Sequence, residues 1–253
     1  LRPREVLLVR AGEGAPSPEL ARAVEAFSDA RFAAFRATLA ADAPAATAGR
    51  RVRQTRKGRL RFLRQLARAG TVVFDGAPPP YFLKREGQRV VTLCAKAPDE
   101  SPRSLVRQGN AQRGMIQSDF IAFPDEETER AAVRAYGLDD LFAGVTLRAA
   151  LPRDARERAG RTPDEPFPLM RRVLLDDRCL PETRYSGGAR ERVLLFGAGL
   201  AKNGLTTSLC NLLRHVDLDR RGFYVAVDPH AIRRHPERVE MLPAGARLFP
   251  IAG

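Results

Sequence analysis

Between Arg192 and His215 an apolar run, a small-residue loop and an apolar helical stripe follow one another without a break. That order leaves few folds open. Arg192 to Phe196 reads as a buried strand, and Leu205, Leu209, Leu212 and Leu213 recur at helical spacing. The stretch from Gly197 to Ser208 joins the strand to the helix N-terminus. Its glycines allow the backbone close to a ligand, and Thr206, Thr207 and Ser208 add hydroxyls, with Asn203 and Gly204 at the tip. The first turn of a helix presents free N–H groups and the positive end of the dipole, which suits a phosphate or an anionic sugar derivative. The loop is neither the dinucleotide fingerprint nor a P-loop, because Lys202 lies ahead of the second glycine position, Gly204, and not after it. Spacing alone supports two readings equally: a ligand loop, or a tight strand-to-helix turn capped by Thr206 or Thr207.

The same alternation runs along the chain. Strands are expected at Glu5 to Arg10, Thr71 to Asp75, Arg89 to Ala95, Asp119 to Phe123, Val145 to Leu151, Tyr224 to Val227 and Arg247 to Ile251. Helices are expected from Ser17 to Phe27, Lys57 to Ala69, Ser101 to Arg113, and Glu126 to Tyr136, the last ended by Gly137. In the second of these Leu60, Phe62, Leu63 and Leu66 are assigned to one apolar face, with a basic face outward. Arg31 to Ala46 is ambiguous, Pro78-Pro79-Pro80 forces a stiff turn, and Arg153 to Pro168 reads as a linker. Alternating elements imply an α/β fold with parallel sheets. Ser186-Gly187-Gly188 breaks the pattern, which divides the chain into residues 1–185 and 186–253.

Composition excludes several classes. Hydrophobic residues at 44% fit a globular protein, and no apolar run is long enough to span a membrane. The chain opens on Leu1 with no signal peptide, so a piece of a longer protein is expected. Cys94, Cys179 and Cys210 are scattered, which argues for a reducing compartment and against a disulfide framework or zinc site. His215, His230 and His235 are the only histidines and are expected at the surface. Lys and Arg total 43 against 30 acids, a formal charge of +13. An anionic partner is implied, although arginine richness also follows from a GC-rich genome. No nucleic-acid reading motif is present, so specific nucleic-acid binding is not expected. The run Arg50 to Arg61 is assigned to peripheral contact with an anionic membrane.

The segment Pro78-Pro79-Pro80-Tyr81-Phe82-Leu83-Lys84-Arg85-Glu86-Gly87-Gln88-Arg89-Val90-Val91-Thr92 resembles the P-x-Y-F-x-K-R-x-G-Q-x-Y-x-x-T pattern of CDP-glycerol glycerophosphotransferases, the teichoic-acid polymerases and primases. Tyr136-Gly137-Leu138 and Leu151-Pro152-Arg153-Asp154 resemble that family's Y-x-I and G-Y-P-R-x-D segments. Asn203-Gly204-Leu205-Thr206-Thr207-Ser208-Leu209, with Asn211-Leu212-Leu213, resembles the start of a glycosyltransferase-like module in its longer members. The resemblance covers most of the chain from Arg59 onward; residues 1–46 fit no named pattern beyond a Rossmann half.

The resemblance implies Rossmann-like sheets of the GT-B type, with the second module truncated. It implies transfer of glycerol phosphate, or a related sugar or polyol phosphate, from a nucleotide-linked donor such as CDP-glycerol, which is a substrate, with no cofactor. The acceptor would be an anionic glycopolymer or a lipid-linked acceptor at the inner face of the cell membrane. Substrate-binding residues carried over are Lys84, Arg85, Gln88, Arg153, Asn203, Gly204, Thr206, Thr207 and Ser208. One departure matters. Where the family continues T-W-H-G-T-P-x-K, with the His as acceptor base, this chain reads Thr92-Leu93-Cys94-Ala95-Lys96-Ala97-Pro98. A thiol does not substitute for imidazole in proton removal near neutrality. A buried strand cysteine is the simpler reading, and a catalytically degenerate module that binds anionic polymer or membrane without turnover is the alternative. Asp228-Pro229-His230 reads as a helix cap more readily than a nucleotide contact.

Overall fold

The computed structural model describes residues 1–10, 16–42, 51–79, 81–94, 105–148, 167–188, 191–218, 220–243 and 245–251. Two sheets organise them. The large one has eight strands: β1 (Arg2–Val9), β2 (Arg36–Ala41), β3 (Arg53–Arg56), β4 (Ala69–Asp75), β5 (Arg89–Leu93), β6 (Phe120–Phe123), β7 (Ala143–Arg148) and β8 (Glu182–Ser186). They lie in the order β3-β2-β1-β4-β5-β6-β7-β8. All neighbours are parallel except β7 and β8. The small sheet has the order β11-β10-β9, all parallel, from β9 (Glu191–Ala198), β10 (Arg221–Val227) and β11 (Arg247–Pro250).

Strand alternation explains the layers. Val6, Leu8, Val73, Val91, Phe120 and Leu147 point to one face of the large sheet, where α1 (Pro18–Ala26) and α6 (Pro168–Leu175) cover them. Leu7, Val9, Val72 and Phe74 point to the other face, against α2 (Leu60–Arg68) and Phe82. Ile121 and Phe123 share that second face with α3 (Leu105–Ile116), α4 (Glu126–Tyr136) and α5 (Leu138–Leu141). Every residue of β4 is buried, as a central parallel strand requires.

Helix ends follow local chemistry. The Ser17 hydroxyl accepts from the Leu20 N–H at 3.1 Å, with Pro18 in the first turn of α1. The Asp125 carboxylate accepts from the Thr128 N–H at 2.7 Å and opens α4. Glu126, Glu127 and Glu129 in its first turn and Arg134 in its last complement the helix dipole. Gly137 ends it at φ 61°, a left-handed turn that glycine adopts without a Cβ clash.

Four elements differ from the sequence expectation. β3 carries no apolar residue, and it forms by backbone pairing with β2 alone. β8 is antiparallel, α6 begins at the last residue of the expected linker, and α5 is a single turn after Gly137. In α2 only Phe62 and Leu66 are buried; Leu60 and Leu63 turn to solvent, because four apolar residues span too wide an arc to share one contact face. The described part of the ambiguous stretch, up to residue 42, holds a 3-10 turn at Ala30–Phe32 followed by β2; residues 43–46 lie outside the described residues. None of the three cysteines is in a disulfide and all are buried, and the three histidines are exposed.

Candidate functional site

The strand order places β1 beside β4, with β2 and β3 to one side and β5 onward to the other. This is the point where the winding of the sheet reverses, the place at whose carboxyl end α/β sheets bind ligands in a crevice. Asp75, the last residue of β4, sits there and is buried. Its Oδ2 accepts from the Ser17 N–H at 3.1 Å. Ser17 is itself the cap of α1, so the carboxylate is held by the start of that helix. Gly76 follows at φ 96° and donates its N–H to the Leu93 carbonyl at 3.0 Å. A fixed carboxylate at a switch point is a ready acceptor for ligand hydroxyls. Asp75 carried no assignment from sequence reasoning. The available signal was its place at the carboxyl end of a buried strand.

The Pro78 to Thr92 segment, which carried the most specific resemblance, has much of its polar chemistry turned inward. Gln88 is buried, and its side-chain amide donates to the carbonyls of Leu66 and Ala69 at 3.0 Å each. It thereby satisfies carbonyls at the end of α2 that have no helical partner. Its Oε1 accepts from the Arg85 N–H at 3.4 Å. Lys84 pairs with Asp119 at 2.5 Å, and Asp119 also accepts from the Val90 N–H at 2.8 Å. These contacts lie at the amino ends of β5 and β6, opposite the switch-point crevice. Arg85 is exposed. Phe82 packs against Phe74 with ring centroids 4.8 Å apart, which seats the turn on the sheet.

The Gly197 to Ser208 loop leads from β9 into α7 (Gly204–His215). Asn203, not a threonine, caps the helix: its Oδ1 accepts from the Thr206 N–H at 2.9 Å. The Thr207 hydroxyl donates to the Asn203 carbonyl at 3.0 Å, Thr206 is buried, and Ser208 is exposed, so the three hydroxyls do not converge. Gly204 has an ordinary negative-φ helical backbone and nothing within 4 Å of where a Cβ would stand. The left-handed residue of the loop is Leu200, at φ 49°. Leu213 is buried, whereas Leu205 and Leu212 face solvent. An open groove of about 460 Å³ runs along α7, lined by Lys202, Asn203, Thr207, Asn211 and Arg214 among others. Arg153 lies outside the described residues.

The two sheets meet at a polar junction. Buried Asp140 of α5 accepts from the Tyr224 hydroxyl at 3.1 Å and pairs with Arg247 at 3.2 Å. Arg247 also reaches Asp139 at 3.2 Å, and Arg192 donates to the Asp140 carbonyl at 3.1 Å. Burial, with the Asp140 carboxylate as a further cause, pushes the Tyr224 phenol up to about 12 against the favourable pull of Arg247. α3 packs against β11 and α8 (Pro229–Arg234). Gly109 of α3 lies so close to Pro250 that a Cβ there would stand 2.6 Å from the proline ring. The Asp228 carboxylate accepts from the His230 N–H at 2.8 Å, which makes it the cap of α8. Cys94, just past β5, packs with Met115, Ile121 and Phe123.

No family model and no curated protein matches this chain. Among solved structures, three of the wall teichoic acid polymerase TagF are similar. One, a variant soaked with CDPG, is 13% identical with a TM-score of 0.46, over 90% of this chain and 56% of that one. A second variant is 12% identical at 0.44, over 92% of this chain and 67% of that one. A third is 13% identical at 0.45, over 100% of this chain and 62% of that one. The chain thus spans little more than half the length of the first of these structures. Among the described residues no cluster of His, Cys, Asp and Glu could hold a metal, and no helix is long and apolar enough to cross a membrane.

Proposed function

We propose that the chain is part of a transferase that moves glycerol phosphate, or a related polyol or sugar phosphate, from a nucleotide-linked donor to a hydroxyl of a lipid-linked or wall glycopolymer. One structural observation carries the reading. A second parallel strand–loop–helix unit is docked on a doubly wound sheet, with the carboxyl end of β11 resting on α3, the helix that connects β5 to β6. Transferases with two Rossmann-type units work between such units. The motif resemblances in Pro78–Thr92 and Asn203–Leu213 supply the chemical class. In this reading Asp75 accepts hydrogen bonds from ligand hydroxyls at the switch point, while Arg85, Asn203, Thr207 and Ser208 keep accessible groups for phosphate or sugar. Lys84 and Gln88 hold the turn that presents Arg85. The acceptor places the enzyme at the inner membrane face.

The test is turnover of CDP-glycerol by the full-length protein with a lipid-linked acceptor, read as CMP release and polymer growth. Absence of both CDP-glycerol binding and turnover would sink the reading. The packing of Cys94 favours a second one, a module that binds polymer without deprotonating the acceptor. Cys94→Ala should leave turnover unchanged. A loss of about a hundredfold or more, the scale of a general base, would restore a catalytic role to the thiol.

A further inference from the structure

At the amino ends of β1 to β3, on the sheet face opposite α1, a cavity of about 250 Å³ is walled by arginines from four elements, Arg2 of β1 among them. α2 contributes Arg61, Arg64 and Arg68, which recur at i, i+3 and i+7 on one flank, beside the buried Phe62 and Leu66. β2 contributes Arg36, and β3 contributes Arg53, which pairs in register with Thr38 of the same wall. One carboxylate, Glu5, lines the cavity, and it is bonded to Arg2 at 2.7 Å. Among the described residues no ion pair reaches Arg36, Arg53, Arg61, Arg64 or Arg68.

This arrangement works against the fold that carries it. Arg61 stands in the first turn of α2, where the helix dipole repels a cation. Arg61 and Arg64, and Arg64 and Arg68, are like charges at helical neighbour spacing. α2 has no acidic residue, whereas α4 compensates its charges with three glutamates in its first turn and Arg134 in its last. Six arginines line the cavity against one carboxylate, Glu5, which is paired with Arg2; the excess positive charge of the other five is lowered in energy when an external anion enters. The volume is below the roughly 300–1,000 Å³ of drug-sized ligand sites, so the ligand group is small. The guanidinium fork matches phosphate oxygens, and several such forks favour a multiply charged group over a carboxylate.

We propose that this cleft is a phosphate-binding site, separate from the switch-point crevice, taking the phosphate of a soluble ester or of an anionic lipid headgroup. It stands independently of the transferase reading, since it lies at the amino ends of the strands and Asp75 at the carboxyl end of β4.

The experiment titrates the full-length protein with inorganic pyrophosphate by calorimetry and, in parallel, measures sedimentation with phosphatidylglycerol and phosphatidylcholine vesicles. The variants are Arg64→Gln and Arg36→Gln, with Arg130→Gln on exposed α4 as the charge-matched control. Each cleft variant should weaken pyrophosphate binding about tenfold, the loss of one charge-assisted hydrogen bond, while Arg130→Gln leaves it unchanged. Binding confined to phosphatidylglycerol vesicles, and reduced by both cleft variants, would identify the headgroup as the source. Without phosphate, Arg64→Gln should melt no lower than the parent, because it relieves repulsion; Arg36→Gln, on a strand, guards against a local helix effect. Unchanged binding in both cleft variants, an equal loss in Arg130→Gln, or no binding of either probe overturns the proposal.

Discussion

The large and the small sheet are written in the same strand–helix–strand grammar, yet they are buried to different degrees. In the large sheet β4 has strands on both sides and helices on both faces, and every residue of it is buried. In the small sheet Val193 and Leu195 of edge strand β9 pack toward α7, while Leu194 and Phe196 on the other face are 62% and 72% exposed. Their register partners on β10, Tyr224 and Ala226, are buried against the large unit. One face of a three-stranded sheet is thus covered over one strand and bare over the next. An apolar run predicts a strand; what lies across from it decides whether the strand is core.

The contrast breaks most visibly on truncation of paired aromatics. Phe74→Ala should cost about 3–5 kcal/mol, the range for a buried phenylalanine whose cavity does not collapse. Denaturant unfolding checks it, and a cost below about 1 kcal/mol would mean that the β4 layer is looser than described.

The junction comes next. Asp140→Ala should cost about 1–3 kcal/mol, because the buried Tyr224 hydroxyl loses its partner; the Arg247 pairing, partly open to solvent, adds little. The junction also has a pH signature. The Tyr224 phenol is held neutral by burial, with a pKa raised from 10 to about 12. Its contribution is fully present below pH 10 and is lost as pH rises through 12. Melting temperature should therefore fall across that window more steeply in the parent than in Tyr224→Phe. Identical slopes would place the phenol in water.

A smaller effect, of opposite sign, sharpens the small unit. Gly204→Ala should stabilise by about 0.4–1 kcal/mol, since the backbone is already helical and the space is open. Asn203→Ala should cost about 1 kcal/mol through loss of the cap. Thermal melts of both read the local structure directly; a destabilised Gly204→Ala would return the loop to a strained conformation. The smallest effect belongs to the bare face. Phe196→Ser should shift stability by no more than about 0.5 kcal/mol. A cost like that of Phe74→Ala would reveal a covering layer over β9.

Local chemistry made much of this molecule legible from its sequence. Buried parallel strands announce themselves as apolar runs, because both faces need side chains that leave water. The helix ends at Ser17 and Gly137 follow from groups within a few residues of each other. The paired acids and arginines of α4 are likewise a local pattern. β3 was invisible because backbone pairing with β2, and not side-chain burial, holds it, and β8 because Tyr185 is its one apolar contact with the core. Gln88 read as a ligand contact because its two carbonyl partners, Leu66 and Ala69, come from a helix end some twenty residues away. Asp75 and the arginine cleft have the same origin. Each is a juxtaposition made when strands distant in sequence take neighbouring places in one sheet, and periodicity along a chain carries no term for which strand lies beside which. Residue chemistry therefore determined the elements and their faces, and tertiary order alone decided which polar groups were spent on the fold and which were left to meet a ligand.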